Sequence, residues 1–410
     1  LPANPACEKQ GPATGSPLRI GHFRNLLIGT SISSLGDQFY FIGLPWIVLQ
    51  VTGSSWALGT ILMAAALPRS ALMLVGGAVI GRRMSARQIM IVTAVLRAVL
   101  VAAVGALLLT HELHVTHLYI LAALFGISDA FVIPAAQAIV PSLVRPSQLP
   151  QANSWLQGSL RLTALAGAGP AGWVIKVWGA AWAMFIDAVS FLFIVFALAT
   201  VPDSLPQKKK EAFRVVSAIA EGLTYVFKDS AMRAFMLLLA VLNFSLTGPV
   251  AIGLATLAQK NFASAAIYGL WMSAFATGGL AGTAAAALVH RHRGYLLIAI
   301  TGILGFSIWA VALLRFRAMA IAAIMLVVGT GIGLVNTSLL AWFQQRVEAQ
   351  YLGRVSSVLA FCATGLLPLS MLLTGALAQA NLMAVFLVSG MCIVTVSIAA
   401  LASSGVRAIH

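Results

Sequence analysis

Residues 115–141 read VTHLYILAALFGISDAFVIPAAQAIVP, an apolar stretch with a single formal charge, Asp129. A helix of that length rises about 40 Å, more than the roughly 30 Å hydrocarbon core of a bilayer. A charge at such depth costs a few kcal/mol or more, so it faces protein or a wet cavity and marks a pathway. Outward from this stretch the pattern recurs. Asp37, Arg69, Arg97, Arg161 and Asp187 each stand inside an apolar run of spanning length, and all lie in the first half of the chain. The combination predicts a membrane transporter.

Composition agrees. Of 410 residues 60% are hydrophobic and 9% charged, with a mean hydropathy of +0.97. A soluble chain carries about 25% charged residues, so most of this surface must face lipid. The net charge of +15 excludes nucleic acid as a partner here, because the basic residues collect in alternate loops rather than on one phosphate-binding face. The three cysteines, Cys7, Cys362 and Cys392, form no disulfide framework. His111, His114 and His117 recur every third position in a polar loop and read as solvated rather than metal-binding. No cofactor motif is present.

Apolar runs and breakers predict twelve spans, at about 23–51, 55–80, 87–109, 115–141, 152–176, 180–201, 231–257, 264–289, 294–314, 317–345, 353–378 and 382–405. The expected organisation is a disordered cytoplasmic tail (1–22, no cleavable signal), a six-helix bundle (23–201), a linker (202–230), a second bundle (231–405) and a short tail (406–410). In the linker, Phe213, Val216, Ile219, Ala220, Leu223 and Phe227 follow Lys208, Lys209 and Lys210 at helical spacing, which predicts an amphipathic helix on the cytoplasmic membrane surface. Eighteen of the 25 Lys and Arg fall on the side that holds the N-terminus, four on the other and three within spans. That bias puts both termini in the cytoplasm.

The halves echo each other. At an offset of 203, Val144-Arg145-Pro146-Ser147-Gln148-Leu149 aligns with Val347-Glu348-Ala349-Gln350-Tyr351-Leu352, Gly126 with Gly329 and Ser154 with Ser357. Two related bundles with a midplane site between them is a transporter plan. The fold class is therefore an all-α membrane protein of twelve helices in two pseudo-symmetric six-helix bundles.

The loop after the second span, Gly77-Ala78-Val79-Ile80-Gly81-Arg82-Arg83-Met84-Ser85-Ala86-Arg87, resembles the signature of the major facilitator superfamily, Gly-x-Leu-Ala-Asp-Arg followed by basic residues. Further fragments in order and spacing strengthen the resemblance: Ser33 to Asp37, Leu67-Pro68-Arg69, Leu96-Arg97-Ala98, Arg161 ahead of Gly169-Pro170, Asp187 to Phe191 and Leu352-Gly353-Arg354. Over about residues 22–400 the chain is similar to the branch that holds the enterobactin exporter and bacterial drug and macrolide exporters. The resemblance implies secondary active export across the bacterial inner membrane, by alternating access and coupled to protons. It also implies a cytoplasmic gate at Gly77, Arg82, Arg83 and Arg87. Gly81 replaces the family's acidic residue, and the expected consequence is a population shifted toward the inward-open state.

Asp37 and Asp129 are the proton-coupling candidates, since a carboxylate in an alternately wetted cavity can load and release a proton. The competing reading is permanent pairing, Asp37 with Arg161 or Asp129 with Arg97. Asp187 and Arg97 read as structural ion-pairing residues. Arg69 and Arg161 are cavity candidates that face an anionic group or balance the carboxylates. In the second half, Asn243, Phe244, Trp271, Phe275, Asn336 and Trp342 form an aromatic, neutral-polar candidate lining suited to amphiphiles. The reading is a monomeric exporter whose partners are a drug-like or siderophore substrate, protons and the lipid bilayer. A lipid or lysophospholipid flippase is the alternative. An intramembrane enzyme is a remote one, because no nucleophile–base or metal constellation is present.

Overall fold

The computed structural model describes residues 16–79, 84–202, 224, 226, 227, 229–287, 293–348, 355, 358, 359 and 364–402. Among them stand twelve helices of fourteen residues or more. They are α1 (Gly21–Thr52), α2 (Ser55–Val79), α3 (Ala86–Leu109), α4 (Val115–Leu143), α5 (Leu149–Trp178) and α6 (Ala180–Ala199), then α7 (Ser230–Phe262), α8 (Ala265–Ala286), α9 (Arg293–Leu313), α10 (Ala318–Arg346), α11 (Leu367–Ala380) and α12 (Leu382–Ala402). Seven of these are long and apolar enough to cross a membrane: α3, α4, α6, α7, α9, α10 and α12. Of the others, α11 is apolar but shorter, and α2, α5, α8 and α11 carry the main contact between the halves.

Local chemistry sets the ends. Gly53, with φ +63°, terminates α1 and lets α2 begin two residues later; Gly179, with φ +92°, turns α5 into α6 in one residue. Ser85 and Gln88 open α3 with a reciprocal capping box: the Ser85 hydroxyl accepts from the Gln88 N–H and the Gln88 side chain from the Ser85 N–H, both at 3.1 Å. The seventh helix outruns its expected limit at 257. It continues through the polar turn Gln259-Lys260-Asn261 and stops only where Ala263 turns left-handed at φ +48°.

Near its middle α7 widens into a π-helical segment, Pro249–Gly253. Pro249 has no N–H to donate, and Ser370 of α11 mends the ladder. Its hydroxyl donates to the Phe244 carbonyl at 2.6 Å and accepts from the Gly248 N–H at 3.1 Å. A proline in a spanning helix is tolerated where a neighbour re-satisfies the backbone in this way.

Packing within each half turns on glycine. A Cβ built on Gly126 of α4 would stand 2.0 Å from the Ala65 carbonyl oxygen of α2, and one on Gly329 of α10 would stand 2.0 Å from the Phe275 carbonyl oxygen of α8. The residues aligned by the 203-residue offset thus make the same close crossing in each half.

The halves meet along α2 with α11 and α5 with α8. At the end that carries the α1–α2, α7–α8 and α11–α12 turns, this seam is backbone-tight. A side chain on Gly59 would reach within 2.7 Å of Gly375 Cα, and one on Gly172 within 3.0 Å of Gly269 Cα. The Gln379 side-chain oxygen accepts from the Ser55 N–H at 2.9 Å, and Ser55 and Thr256 hydroxyls lie 3.2 Å apart. Toward the opposite end single side chains bridge the seam: Ser70 donates to the Thr364 carbonyl at 3.2 Å and Arg161 to the Thr283 hydroxyl at 2.8 Å. There Asn153, Gln157 and Arg161, one turn apart on α5, are all exposed. Such a polar stripe suits water rather than acyl chains.

Candidate functional site

Between the halves lies a cavity of about 530 Å³. From the first half it is lined by α1 (Gln38, Tyr40, Phe41, Leu44, Pro45), α2 (Leu62, Ala65, Ala66, Arg69, Ser70) and α4 (Phe125, Gly126, Asp129). From the second come α7 (Leu242, Asn243, Leu246, Thr247, Val250, Ala251), α8 (Tyr268, Met272, Phe275), α10 (Ile332, Val335, Asn336) and α11 (Leu367, Met371). The π-helical segment of α7 therefore sits in the wall, a frequent place for such segments. Arg69 and Asp129 are the charged residues of the lining, and both come from the first half.

Behind that wall the charges converge. Asp129 accepts a charge-assisted bond from an Arg97 terminal nitrogen, and an Arg69 terminal nitrogen lies 3.7 Å from its other oxygen. Arg97 is 6% exposed. Its Nε donates to the Ser128 hydroxyl at 3.0 Å, and its guanidinium sits 4.6 Å from the Phe125 ring centre and 6.0 Å from that of Phe191. Tyr40 stacks on Phe125 with centroids 4.1 Å apart and planes 10° from parallel. A guanidinium whose faces are aromatic and whose edges reach a hydroxyl and a carboxylate is well compensated for its desolvation.

Five residues singled out in the sequence, Arg69, Asp129, Asn243, Phe275 and Asn336, thus line one cavity. Asp37, Arg97 and Asp187 stand behind it. Other singled-out residues stand elsewhere. Arg161 is exposed, bonds Thr283 across the seam and pairs with neither Asp37 nor the cavity. Trp271 is fully buried; its indole donates to the Ala318 carbonyl at 2.8 Å and packs edge-on to Phe262, so it anchors α8 to α10. Phe244 and Trp342 lie outside the lining, and Trp342 stacks under Arg346 instead. Asp187 makes no ion pair among the described residues. Its Oδ1 lies 3.4 Å from the Ser190 hydroxyl, and its Oδ2 has no partner among the described residues. Arg87 Nε donates to the Leu198 carbonyl at 2.8 Å and a terminal nitrogen to that of Ala199, at the end of α6. A cation there complements the helix C-terminus. Gly77 lies in α2, while Gly81, Arg82, Arg83, the Lys208–Lys210 run, most of the linker's apolar stripe and Leu352-Gly353-Arg354 lie outside the described residues.

Tyr40, Phe125 and Ser128 were missed in the sequence although a signal existed. Tyr40 follows Asp37 by three and Phe125 precedes Asp129 by four, so each shares a helix face with its acid.

A family model described as Major Facilitator Superfamily matches residues 26–371. The chain belongs to the major facilitator superfamily. It is a multi-pass membrane transporter rather than an enzyme. Among curated relatives, the multidrug efflux pump Tap of Mycolicibacterium fortuitum is 25% identical over 370 residues, covering 87% of this chain and 88% of that protein. Tap of Mycobacterium tuberculosis is 25% identical over 404 residues, 93% of each chain. Among solved structures, the nucleoside transporter NupG superposes with a TM-score of 0.71 at 12% identity, covering 93% of this chain and 98% of that one. A bacterial homologue of the iron transporter ferroportin gives 0.67 at 18% identity, covering 95% and 100%. These structures share the transporter's fold.

Proposed function

We propose that this transporter is a proton-coupled exporter of amphipathic, drug-like molecules from the bacterial cytoplasm, working by alternating access. The observation that carries the reading is the unequal cavity wall. One side holds the Arg69–Asp129 pair and the aromatic shelf Tyr40–Phe125. The other is mostly apolar, with Asn243, Thr247, Tyr268 and Asn336 as its neutral polar points. An amphiphile buries its apolar body against the second half and presents its polar group to the first. The likeness to efflux pumps over most of the chain supports export. The two closures differ in kind, a backbone-tight seam at one end and single side-chain bonds at the other. With the basic loops inside, the tight end is the outer one, and the Ser70–Thr364 and Arg161–Thr283 contacts are those that release to admit substrate. Asp37 and Asp129 remain the candidates for coupling, on a cluster in which three carboxylates meet two guanidinium groups.

The test is ethidium movement in proteoliposomes under an imposed proton gradient. Accumulation driven by the gradient and abolished by a protonophore is expected. Movement indifferent to the gradient would end the coupling reading, and no dye movement together with substrate-stimulated lipid scrambling would favour a flippase.

A further inference from the structure

We propose that the exchangeable proton of this transporter is held by the Asp37–Asp187 pair between α1 and α6, and not by Asp129, the acid that faces the cavity. The proposal rests on the reading of the chain as a proton-coupled exporter and names the residues that do the coupling.

Pairing within the cluster is unequal. Asp129 takes both guanidinium groups, Arg97 directly and Arg69 at 3.7 Å. No cation stands within salt-bridge distance of Asp37 or Asp187 among the described residues. Three carboxylates face two guanidiniums, so the fully ionised cluster holds one excess negative charge, and one proton removes it. The excess falls on the two acids that Asp129 leaves without a cation.

Asp187 is 0% exposed, and its Oδ2 has no partner. The Ser190 hydroxyl donates at 2.7 Å to the Asp187 backbone carbonyl, which leaves only a long 3.4 Å approach to Oδ1. An ionised carboxylate stripped of water and donors in this way is strongly disfavoured, whereas a neutral one is tolerated. Asp37 Oδ1 is likewise buried without a partner. Gly36, next to Asp37, lets α1 close on α6 at Asp187: a Cβ there would stand 3.0 Å from Asp187 Oδ1 and 1.9 Å from Ser190 Oγ, and Asp37 is a charged neighbour of Asp187.

From α1 come Asp37 and Tyr40, and from α3 comes Arg97, turned toward α4. From α5, Arg161 bonds Thr283 and Lys176 is exposed. Arg97 bonds Asp129 and is also a charged neighbour of both Asp37 and Asp187. When a cationic substrate group takes the Asp129 carboxylate, the Arg97 guanidinium it releases compensates the pair, and the proton leaves to water. Coupling therefore needs no competition between proton and substrate for one oxygen.

Difference infrared spectroscopy on the full-length reconstituted chain, in water and heavy water, reads the proton without any substrate. A carbonyl band of a protonated, buried carboxyl group is expected in the wild type. Asp187→Asn removes it. Asp187→Glu and Asp37→Glu, which keep a carboxyl group, move its frequency, and Asp129→Glu leaves it in place. The Asp37 variant carries the test if the buried Asp187 variants fail to fold. No such band in the wild type, or a band moved only by Asp129→Glu, overturns the proposal. Ethidium transport, run on the same samples, separates the two readings. A wild type that shows the band but moves no dye loses the exporter reading and keeps the proton site.

Discussion

The two halves of this transporter share a scaffold and differ in chemistry. Gly126 and Gly329 mark the same crossing in each, with the same 2.0 Å clearance to a carbonyl. Three residues further on, at the same offset of 203, Asp129 corresponds to Ile332, and both line the cavity. The first half fills the space around this position with Arg69, Arg97, Asp37 and Asp187. At the same offset the second half holds Met272 for Arg69, Ile300 for Arg97 and Ala240 for Asp37, so apolar residues stand where the first half has charges. Backbone geometry is thus held common while side-chain chemistry diverges. One half is free to manage charge, and the other to present an adaptable apolar wall.

The largest expected effect comes from breaking the charged side. Arg97→Leu leaves Asp129 with only the distant Arg69, and loss of one partner of a buried pair costs about 3–5 kcal/mol. Thermal unfolding of the detergent-purified chain should show a large drop that Asp129→Asn in the same molecule partly restores. An Arg97→Leu protein as stable as wild type would remove the cluster from the fold's foundations.

Next is the shared crossing. Gly126→Ala and Gly329→Ala each force a methyl group into a backbone carbonyl, and overpacking of this kind costs about 1–3 kcal/mol. Similar losses in the two variants are expected. A loss in one half alone would show that the repeat does not extend to packing.

The smallest effect lies outside the membrane. The Asp229 carboxyl is pushed upward by partial burial, but the Arg346 guanidinium and the N–H groups of Ala231 and Met232 outweigh this and hold it below the ordinary carboxylate range. Arg346 is bound at 2.9 Å and joins the end of α10 to the start of α7. A carboxyl held low in the folded state adds stability above its unfolded value, and that stability is lost as pH falls through the folded one. Asp229→Asn retains a good helix cap and removes the charge, so the expected loss is under about 1 kcal/mol near neutral pH. The difference from wild type should vanish in acid. A constant difference across pH would mean that the cap, not the ion pair, is what Asp229 supplies.

Much of the fold was legible because lipid imposes a simple rule: long apolar runs, sparse charges and basic loops. The limits of α3, α4, α6 and α10 fall within two residues of expectation. The seventh helix ran beyond it because backbone geometry at Ala263, not hydropathy, ends it. The cavity was legible in part. Arg69, Asp129, Asn243, Phe275 and Asn336 stood out as polar or aromatic residues in apolar runs. Trp271 and Phe244 carried the same signal and serve packing, since composition does not say which way a side chain points. Asp187 was expected to pair, yet the cations it needed are turned toward Asp129. Such a choice among neighbours is made by tertiary packing and leaves no mark on spacing.

The division between the halves can be read in transport kinetics. In proteoliposomes, Asp187→Asn, behind the cavity wall, should abolish stimulation of ethidium movement by a proton gradient while leaving the apparent affinity in gradient-free exchange near that of wild type. Asn336→Leu should weaken that affinity several-fold and keep the stimulation. If both substitutions change the same parameter, charge handling and substrate binding are not divided between the bundles.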